Sequence, residues 1–251
     1  SLWFLMVLSF AAWSAQAAHT QARLLLAADT VKPGYTVLAG VHLQMDPGWH
    51  TYWENAGEAG MATKIVWQLP PGVTADEIRW PVPEKLPPAS IITYGYEHEV
   101  VLLVPLTLAS NLSAGPHELK AKVSWLECEQ SCIPGSAEVA VTLNVGAETK
   151  ASADAGLIGT WQKKLPLLRE DLRVQASWEP PVKDDLRSIV LEWNSSGKGD
   201  ADFYSLDTAD YSVQSAVERL SAPAGTIKLR KQVKKFEGAW PKQLSGVLIE
   251  K

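Results

Sequence analysis

The sequence is poor in cysteine, because only Cys128 and Cys132 occur among its 251 residues. Two cysteines exclude a small scaffold held together by several disulfides. They also argue against a structural zinc site, which needs four ligands, since none of the five histidines shows ligand spacing to them. An excess of positive charge is missing too. The formal net charge of -5 gives no electrostatic footprint for nucleic acid, so we expect no nucleic-acid partner.

Long hydrophobic runs are also absent. The apolar run from Leu2 to Trp13 is about 12 residues long, and a membrane-spanning helix needs about 20. The small residues Ala15 and Ala17 follow it in the pattern typical of signal-peptide cleavage. We therefore predict a signal peptide at residues 1–17, with a buried N-terminal strand as the alternative. Export would place the two cysteines in an oxidising compartment.

Short strand patterns dominate the part that follows. Apolar residues recur at every second position over 37–43 and 119–125, which is the period of a half-buried β-strand. Pro-Gly pairs, as at 33–34 and 71–72, separate such stretches with turns. This punctuation predicts an all-β protein in which residues 18–148 form an immunoglobulin-like β-sandwich.

The composition changes after residue 148. Residues 149–168 are rich in alanine and predict a linker with a short helix, and strand patterns resume over 169–251 as a second, smaller β domain. That domain ends in a strand-like stretch, so we expect more chain to follow in the natural protein. A basic run predicts a charged edge strand that discourages pairing with other chains; its members are Lys228, Arg230, Lys231, Lys234 and Lys235.

The cysteine pair in "WLECEQSCIP" (125–134) admits three interpretations: a structural disulfide, a metal clip or a redox pair. A disulfide closing a loop of about five residues stabilises a fold by only about 2 kcal/mol, against about 4 kcal/mol for a loop of ~60 residues. Residues four apart on an extended strand lie about 13 Å apart, whereas a disulfide needs Cα atoms within about 7 Å. If the bond exists, residues 129–131 must therefore turn. Copper(I) bound by the two thiolates stays open as the metal alternative.

The residues beside the cysteines predict unequal roles for the two sulfurs. Glu127 and Glu129 flank Cys128, and adjacent carboxylates disfavour its thiolate. Cys132 lacks such neighbours. We therefore predict that Cys132 is the exposed, exchange-competent sulfur, that Cys128 resolves the mixed disulfide, and that the two glutamates modulate the pair. The residues alone leave a redox pair and a structural bond equally supported.

Several separated stretches together resemble a known family. The chain is similar to the N-terminal periplasmic domain of the DsbD/ScsB thiol:disulfide interchange proteins, and more to the ScsB-like branch, over about residues 35–145. The resemblance rests on "DPGWHTYW" (46–53), "IRWPVPE" (78–84), "YGYEHEVVLLVPL" (94–106) and "WLECEQSCIP" (125–134).

This resemblance implies an immunoglobulin-like domain without a bound cofactor. Its cysteine pair would take electrons from a DsbD/ScsB-type transmembrane domain and a thioredoxin-like domain, on the same chain or separate. It would pass them to oxidised periplasmic proteins of thioredoxin fold, such as disulfide isomerases and cytochrome c maturation factors. In the family the second cysteine forms the mixed disulfides, which agrees with the role predicted for Cys132, and the ScsB-like branch is linked to copper tolerance.

The family also covers its cysteines with a cap loop that carries an aromatic residue before a Tyr-Gly pair. Here Thr93 stands at that position, so Tyr94 or Tyr96 would supply the shield by packing over the disulfide. The alternative is that both tyrosines pack in the core. The aromatic residues of "GWHTYWEN" (48–55) have two interpretations as well, as filling of the sandwich or as a docking surface beside the cysteines.

The combined prediction is an exported thiol-disulfide exchange module, a component of a protein-disulfide reductase, acting in the periplasm through Cys128 and Cys132. A missing C-terminal region would attach it to the inner membrane. Two alternatives are a binding or adaptor module with a structural disulfide and a copper(I)-binding protein. We predict no resident metal site and no cofactor.

Overall fold

The computed structural model describes residues 19–86, 91–195 and 199–250. The predicted signal peptide at 1–17 lies outside the described residues. The strands before the helix are β1 (Thr20–Leu26), β2 (Ala28–Val31), β3 (Thr36–Met45), β4 (His50–Gly57), β5 (Lys64–Gln68), β6 (Val73–Ala75), β7 (Glu84–Leu86), β8 (Thr93–Glu97), β9 (Glu99–Leu108), β10 (Gly115–Cys128), β11 (Cys132–Val145) and β12 (Lys150–Ala151). Helix α1 (Ala155–Gln162) is followed by β13 (Val174–Lys183), β14 (Leu186–Asn194), β15 (Ala201–Leu206), β16 (Tyr211–Val213), β17 (Glu218–Arg219), β18 (Thr226–Lys235) and β19 (Ser245–Glu250).

The first β domain (β1–β12) is a sandwich of two sheets. One sheet has the strand order β1-β3-β9-β6, and the other has the order β12-β2-β11-β10-β4-β8-β7, with β5 added to β10. Strands β3 and β10 each turn alternate apolar side chains towards the space between the sheets, where the core forms. The predicted all-β, immunoglobulin-like sandwich is confirmed.

The short predicted helix is also confirmed. Its N-terminus follows a turn in which the Ser152 carbonyl accepts a hydrogen bond from the Ala155 N–H. Ile158 and Trp161 are buried and join the core of the first domain, which fixes α1 against it. Within the described residues, no helix is long and apolar enough to cross a membrane.

A second, smaller β domain (β13–β19) follows the helix. Its larger sheet has the order β13-β14-β18-β16 with β17 added to β18, and its smaller sheet pairs β15 with β19. The prediction that the basic run forms an edge strand is wrong, because β18 lies inside the larger sheet. Lys231 is 1% exposed and donates hydrogen bonds to Asp202 and to the Ser215 carbonyl, so this cation points into the domain. Sequence pattern alone did not show this long-range pairing.

The two domains contact each other through β4, β7 and β8 of the first domain and β15 of the second. Asn55 donates a hydrogen bond of 2.7 Å to the Ser205 carbonyl. The rings of Tyr94 and Tyr204 lie 4.4 Å apart, and Lys85 forms an ion pair with Asp202. Tyr204 thereby joins the core of the first domain. The far end of β4, which begins beside the cysteines, is therefore held by the second domain.

Candidate redox site

The two cysteines close the end of the β10–β11 hairpin. Cys128 is the last residue of β10 and Cys132 the first of β11, and they are direct cross-strand partners joined by a disulfide. Their Cα atoms are 4.2 Å apart. The predicted turn at residues 129–131 and the predicted end of the strand at Cys128 are both present. The bond thus spans one tight hairpin turn and crosslinks no distant parts of the fold.

The two sulfur-bearing residues differ in their access to solvent. Cys128 is 3% exposed, whereas Cys132 is exposed at the start of β11. A partner thiolate reaches the sulfur that faces solvent first, because attack requires access along the S–S bond. The difference in exposure has the predicted sense, and the exchange role of Cys132 stays a prediction.

Strand β4 brings two polar side chains to the disulfide. His50 is the cross-strand partner of Cys128, so β4 and β10 meet at the end of the hairpin that carries the disulfide. The Tyr52 hydroxyl donates a hydrogen bond of 2.9 Å to Cys128 Sγ and lies 3.6 Å from Cys132 Sγ. Tyr52 is itself 3% exposed, so its ring covers the sulfurs from within the fold.

His50 orients the tyrosine hydroxyl. Its Nε2 lies 3.2 Å from Tyr52 Oη. A phenol has one proton. When that proton points to Cys128, the Nε2–H tautomer of His50 donates the histidine–tyrosine hydrogen bond. The result is a directed chain of donors from His50 through Tyr52 to Cys128 Sγ. A thiolate on Cys128 would accept this hydrogen bond more strongly than a disulfide sulfur does.

Burial keeps both members of this chain in their neutral forms near pH 7. Desolvation raises the pKa of Tyr52, which keeps the hydroxyl a donor. Desolvation also lowers the pKa of His50, and the nearby Glu97 carboxylate opposes that shift only in part. His50 and Tyr52 can therefore stabilise a developing negative charge on Cys128 Sγ by hydrogen bonding, while the tyrosine keeps its proton.

A glycine seats the Tyr52 ring. Gly60 has φ +115°, and a Cβ built on it would lie 2.3 Å from the ring atoms of Tyr52. The backbone of the loop after β4 therefore lies directly on the ring, where only glycine fits. This loop, together with the short bridge between Tyr52 and Ala62, fixes the tyrosine against the sulfurs.

The two glutamates beside Cys128 occupy different places. Glu127 is fully buried, and its carboxylate accepts hydrogen bonds of 2.9 Å from the Trp125 Nε1–H and from the backbone N–H of His19. Because adjacent strand residues point to opposite faces, Glu127 and Cys128 project away from each other. Glu129 is exposed in the turn. The structure thus gives Glu127 a core position, and a modulating role for either glutamate stays a prediction.

Tyr94 and Tyr96 lie in the core of the first domain. Tyr96 is the cross-strand partner of Thr51 and donates a hydrogen bond of 2.7 Å to the Pro81 carbonyl, while Tyr94 packs against Tyr204. Alternation along β4 places Thr51 and Tyr52 on opposite faces, so Tyr96 faces away from the sulfurs. The expectation that Tyr94 or Tyr96 packs over the disulfide is wrong. Both lie in the core, and the tyrosine in contact with the sulfurs is Tyr52.

Tyr52 was not predicted as the residue in contact with the disulfide, although 48–55 was considered as a surface beside the cysteines. The signal was present in "HTYW" (50–53), where His50 and Tyr52 share one face of a strand and Thr51 and Trp53 share the other. Trp53 fills the core, as one of the two interpretations predicted, and Trp49 stacks on His19 with ring centroids 3.9 Å apart. What the pattern did not show was that β4 pairs with the end of β10.

The described residues contain no group of three or more His, Cys, Asp or Glu side chains that could hold a metal ion. What the arrangement can do is thiol–disulfide exchange, with one sulfur open to attack and the other supplied with a donor.

Comparison with known proteins agrees with this geometry. Residues 21–144 match the family model described as thiol:disulfide interchange protein DsbD, N-terminal. Among solved structures, the chain is similar to the N-terminal periplasmic domain of ScsB from Proteus mirabilis, with 21% identity and a TM-score of 0.66, over 93% of this chain and 90% of that one. No curated protein matches the chain. Residues 21–144 of this chain therefore belong to the family of DsbD N-terminal domains of thiol:disulfide interchange proteins.

Proposed function

We propose that the chain is a periplasmic module that relays electrons through Cys128 and Cys132, from a membrane-bound thioredoxin-like partner to oxidised proteins of thioredoxin fold. One observation carries the proposal: the exposed Cys132 is bonded to a buried Cys128 whose sulfur accepts a hydrogen bond from Tyr52. A disulfide that closes only a tight turn contributes little to stability in the chain-entropy model. This disulfide can therefore be reduced and re-formed without a large change in the stability of the fold.

Reduction of the module proceeds by two exchanges. A thiolate of the reduced donor attacks Cys132 Sγ, which forms a mixed disulfide as the Cys128–Cys132 bond breaks. Cys128 leaves as a thiolate, and the Tyr52 hydroxyl stabilises that charge through its hydrogen bond. The second cysteine thiolate of the donor then attacks the donor's first cysteine sulfur in the mixed disulfide. This forms the donor's own disulfide and releases Cys132 as a thiolate. Two electrons have then moved to the pair, and protons come from solvent.

The second half of the cycle runs the same chemistry towards an acceptor. The Cys132 thiolate attacks the acceptor disulfide and forms a new mixed disulfide. Cys128 attacks Cys132 Sγ, restores the intramolecular bond and releases the reduced acceptor. The 4.2 Å between the Cα atoms keeps the resolving sulfur next to its target throughout. Residues 18–148 would be the redox domain, 149–168 a linker and 169–251 a second domain on the same exported chain.

Trapping of mixed disulfides tests this assignment. The Cys128→Ser variant leaves the Cys132 thiol free, so its thiolate should attack the disulfide of an oxidised thioredoxin-fold partner. The resulting mixed disulfide should accumulate and appear on a non-reducing gel as a band that disappears on addition of dithiothreitol. The Cys132→Ser variant should accumulate far less, because Cys128 is buried. The reverse pattern would show that Cys128 is the attacking sulfur. No trapping by either variant would contradict the exchange function itself.

A further inference from the structure

The second β domain is a sandwich with one side open. Its larger sheet has five strands, and the smaller sheet that packs on it has two. Among the described residues, β19 pairs only with β15 and β13 pairs only with β14, so each sheet ends in an unpaired edge on the same side. Unpaired edges present rows of backbone donors and acceptors that can pair with another extended chain.

A groove runs along β19, with β13 opposite it in one part and residues 163–172 opposite it in the other. Two neighbouring cavities of about 710 and 820 Å³ share Val174 of β13 and Gly246 and Leu248 of β19, so they form one continuous groove, here called the β13–β19 groove. The floor of the first cavity is apolar and includes Leu191 and Phe203 from the core of the domain. Each cavity alone has the volume of a small-molecule site, and the two joined have room for an extended segment.

The rim of the groove is positively charged. Five cationic side chains and the carboxylate of Glu250 line it, and one of the five cations, Arg169, is already paired with Asp171 at 2.7 Å. The Glu250 carboxylate already accepts hydrogen bonds from Trp193 Nε1 and Ser195 Oγ. The cations are Lys163, Lys164, Arg169, Arg187 and Lys242. The chain as a whole is acidic, so this concentration of positive charge favours an anionic partner.

Two tryptophans present one of these cations to the groove. The Arg187 guanidinium lies 5.2 Å from the ring centroid of Trp178 and 5.9 Å from that of Trp240. Its Nε donates a hydrogen bond of 2.7 Å to the Glu179 carbonyl, which fixes the plane of the group. A planar guanidinium held in this way is preorganised for a carboxylate. The aromatic faces beside it offer contact area for an apolar side chain.

We propose that the β13–β19 groove binds an extended acidic segment of a partner polypeptide, which adds to β19 as the third strand of the smaller sheet. Backbone pairing with β19 supplies affinity, and alternation of side chains supplies specificity. Apolar side chains of the segment enter the cavity floored by Leu191 and Phe203. Its acidic side chains face the cationic rim. The function of this surface is separate from the cysteine pair, which lies in the other domain.

Peptide binding to the full chain tests the proposal. The probe is a fluorescein-labelled peptide of about eight residues that alternates Glu and Val, compared with the same peptide carrying Lys in place of Glu. Fluorescence anisotropy should show saturable binding of the Glu peptide, at least about tenfold tighter than the Lys peptide, and weaker at high salt. The double variant Lys163→Glu/Lys242→Glu should weaken binding of the Glu peptide by at least about tenfold.

Matched variants separate the groove from general charge. Lys120→Glu/Lys122→Glu makes the same change of charge on β10 of the first domain and should leave the affinity within about twofold. Val174→Asp places a carboxylate in the groove and should abolish binding of the Glu peptide. Val182→Asp makes the same change at an exposed site of the same strand, outside the groove, and should not.

Three results would overturn the proposal. The first is equal affinity for the Glu and Lys peptides, or no saturable binding of the Glu peptide up to about millimolar concentration. The second is an equal loss of affinity in the β10 control variant. The third is a homodimer in sedimentation that Lys163→Glu/Lys242→Glu dissociates, which would assign the groove to a second copy of the chain.

Discussion

The Tyr52 hydroxyl donates a hydrogen bond of 2.9 Å to Cys128 Sγ, on the buried side of the disulfide. This contact joins two strands, β4 and β10, that are far apart in the sequence. It gives the sulfur that must leave during reduction a donor already in place, held by the histidine two residues earlier on the same strand. The electrostatics of the pair therefore depends on β4 as much as on the hairpin that carries the cysteines.

Removing this donor should make Cys128 a poorer leaving group. In Tyr52→Phe we expect the pKa of the Cys128 thiol in the reduced protein to rise by about one unit, since a hydrogen bond to a charged group contributes about 1.5 kcal/mol or more. Reduction of the disulfide by a small dithiol should slow several-fold. Thiolate absorbance against pH and stopped-flow reduction measure the two effects.

Tyr96→Phe is the matched control for that variant. It removes an equally buried phenolic hydroxyl, bonded to the Pro81 carbonyl and without contact to the sulfurs. It should lower stability without changing the thiol pKa. If both variants shift the thiol pKa equally, the shift does not come from the Tyr52 hydrogen bond and the role given to Tyr52 is wrong.

A side chain at Gly60 should displace the Tyr52 ring and so also raise the pKa of the Cys128 thiol. In Gly60→Ala the new methyl group collides with the ring, and the left-handed backbone adds strain of about 1 kcal/mol. We expect a lower free energy of unfolding and, in addition, the raised Cys128 thiol pKa of Tyr52→Phe. Gly115 has nearly the same φ, +121°, and open space around it. Gly115→Ala should therefore lower stability alone, and a changed thiol pKa there would contradict this explanation.

Protonation of His50, which lies beside the Tyr52 hydroxyl, should make the stability of the protein depend on pH. Burial lowers the pKa of His50 from its ordinary value of 6.5. Between the lowered pKa and 6.5 the unfolded chain binds more protons than the folded protein, so stability is highest above that window and falls as the pH drops through it. Urea titrations of the oxidised protein should show a smaller fall in His50→Gln than in the wild type.

His117→Gln is the control for the pH experiment, because this histidine is partly buried like His50 and its ring nitrogen lies 2.8 Å from the Ser113 carbonyl, away from Tyr52. The loss of pH dependence in His50→Gln is compared with that of this control. We expect the His50 contribution to be small, since the side chain is only half-buried and solvent screens its charge. A curve for His50→Gln that runs parallel to the wild type would contradict the assignment.

The two glutamates beside Cys128 should respond differently to substitution. Glu127→Gln puts an amide N–H₂ where the buried carboxylate accepts two hydrogen bonds, so one donor loses its partner at a cost of about 1–3 kcal/mol. Glu129→Gln, in the exposed turn, should change stability by less than about 0.5 kcal/mol. Chemical denaturation measures both. A stable Glu127→Gln variant with altered reduction kinetics would instead support the modulating role predicted from the sequence.

The local features of the site could be read from the sequence because they depend on neighbours in the chain. The spacing of Cys128 and Cys132 required a turn between them, and the period of two around Trp125 marked the strand that ends there. The contact of Tyr52 with the sulfurs could not be read, because it depends on β4 pairing with the end of β10. The same limit explains the error at Lys231, where pairing with β14 places a basic strand inside a sheet. Alternation identified which residues share a face, and it could not say which face meets the cysteines.

The reduction potential of the Cys128–Cys132 pair tests the central claim most directly. Equilibration of the full chain against dithiol buffers of known potential, followed by alkylation of free thiols, gives this value. A relay pair should have a potential between about -270 and -180 mV, in the range of thioredoxin-like exchange proteins. A potential below about -300 mV would show a structural disulfide, and would contradict the account of this chain as an electron relay.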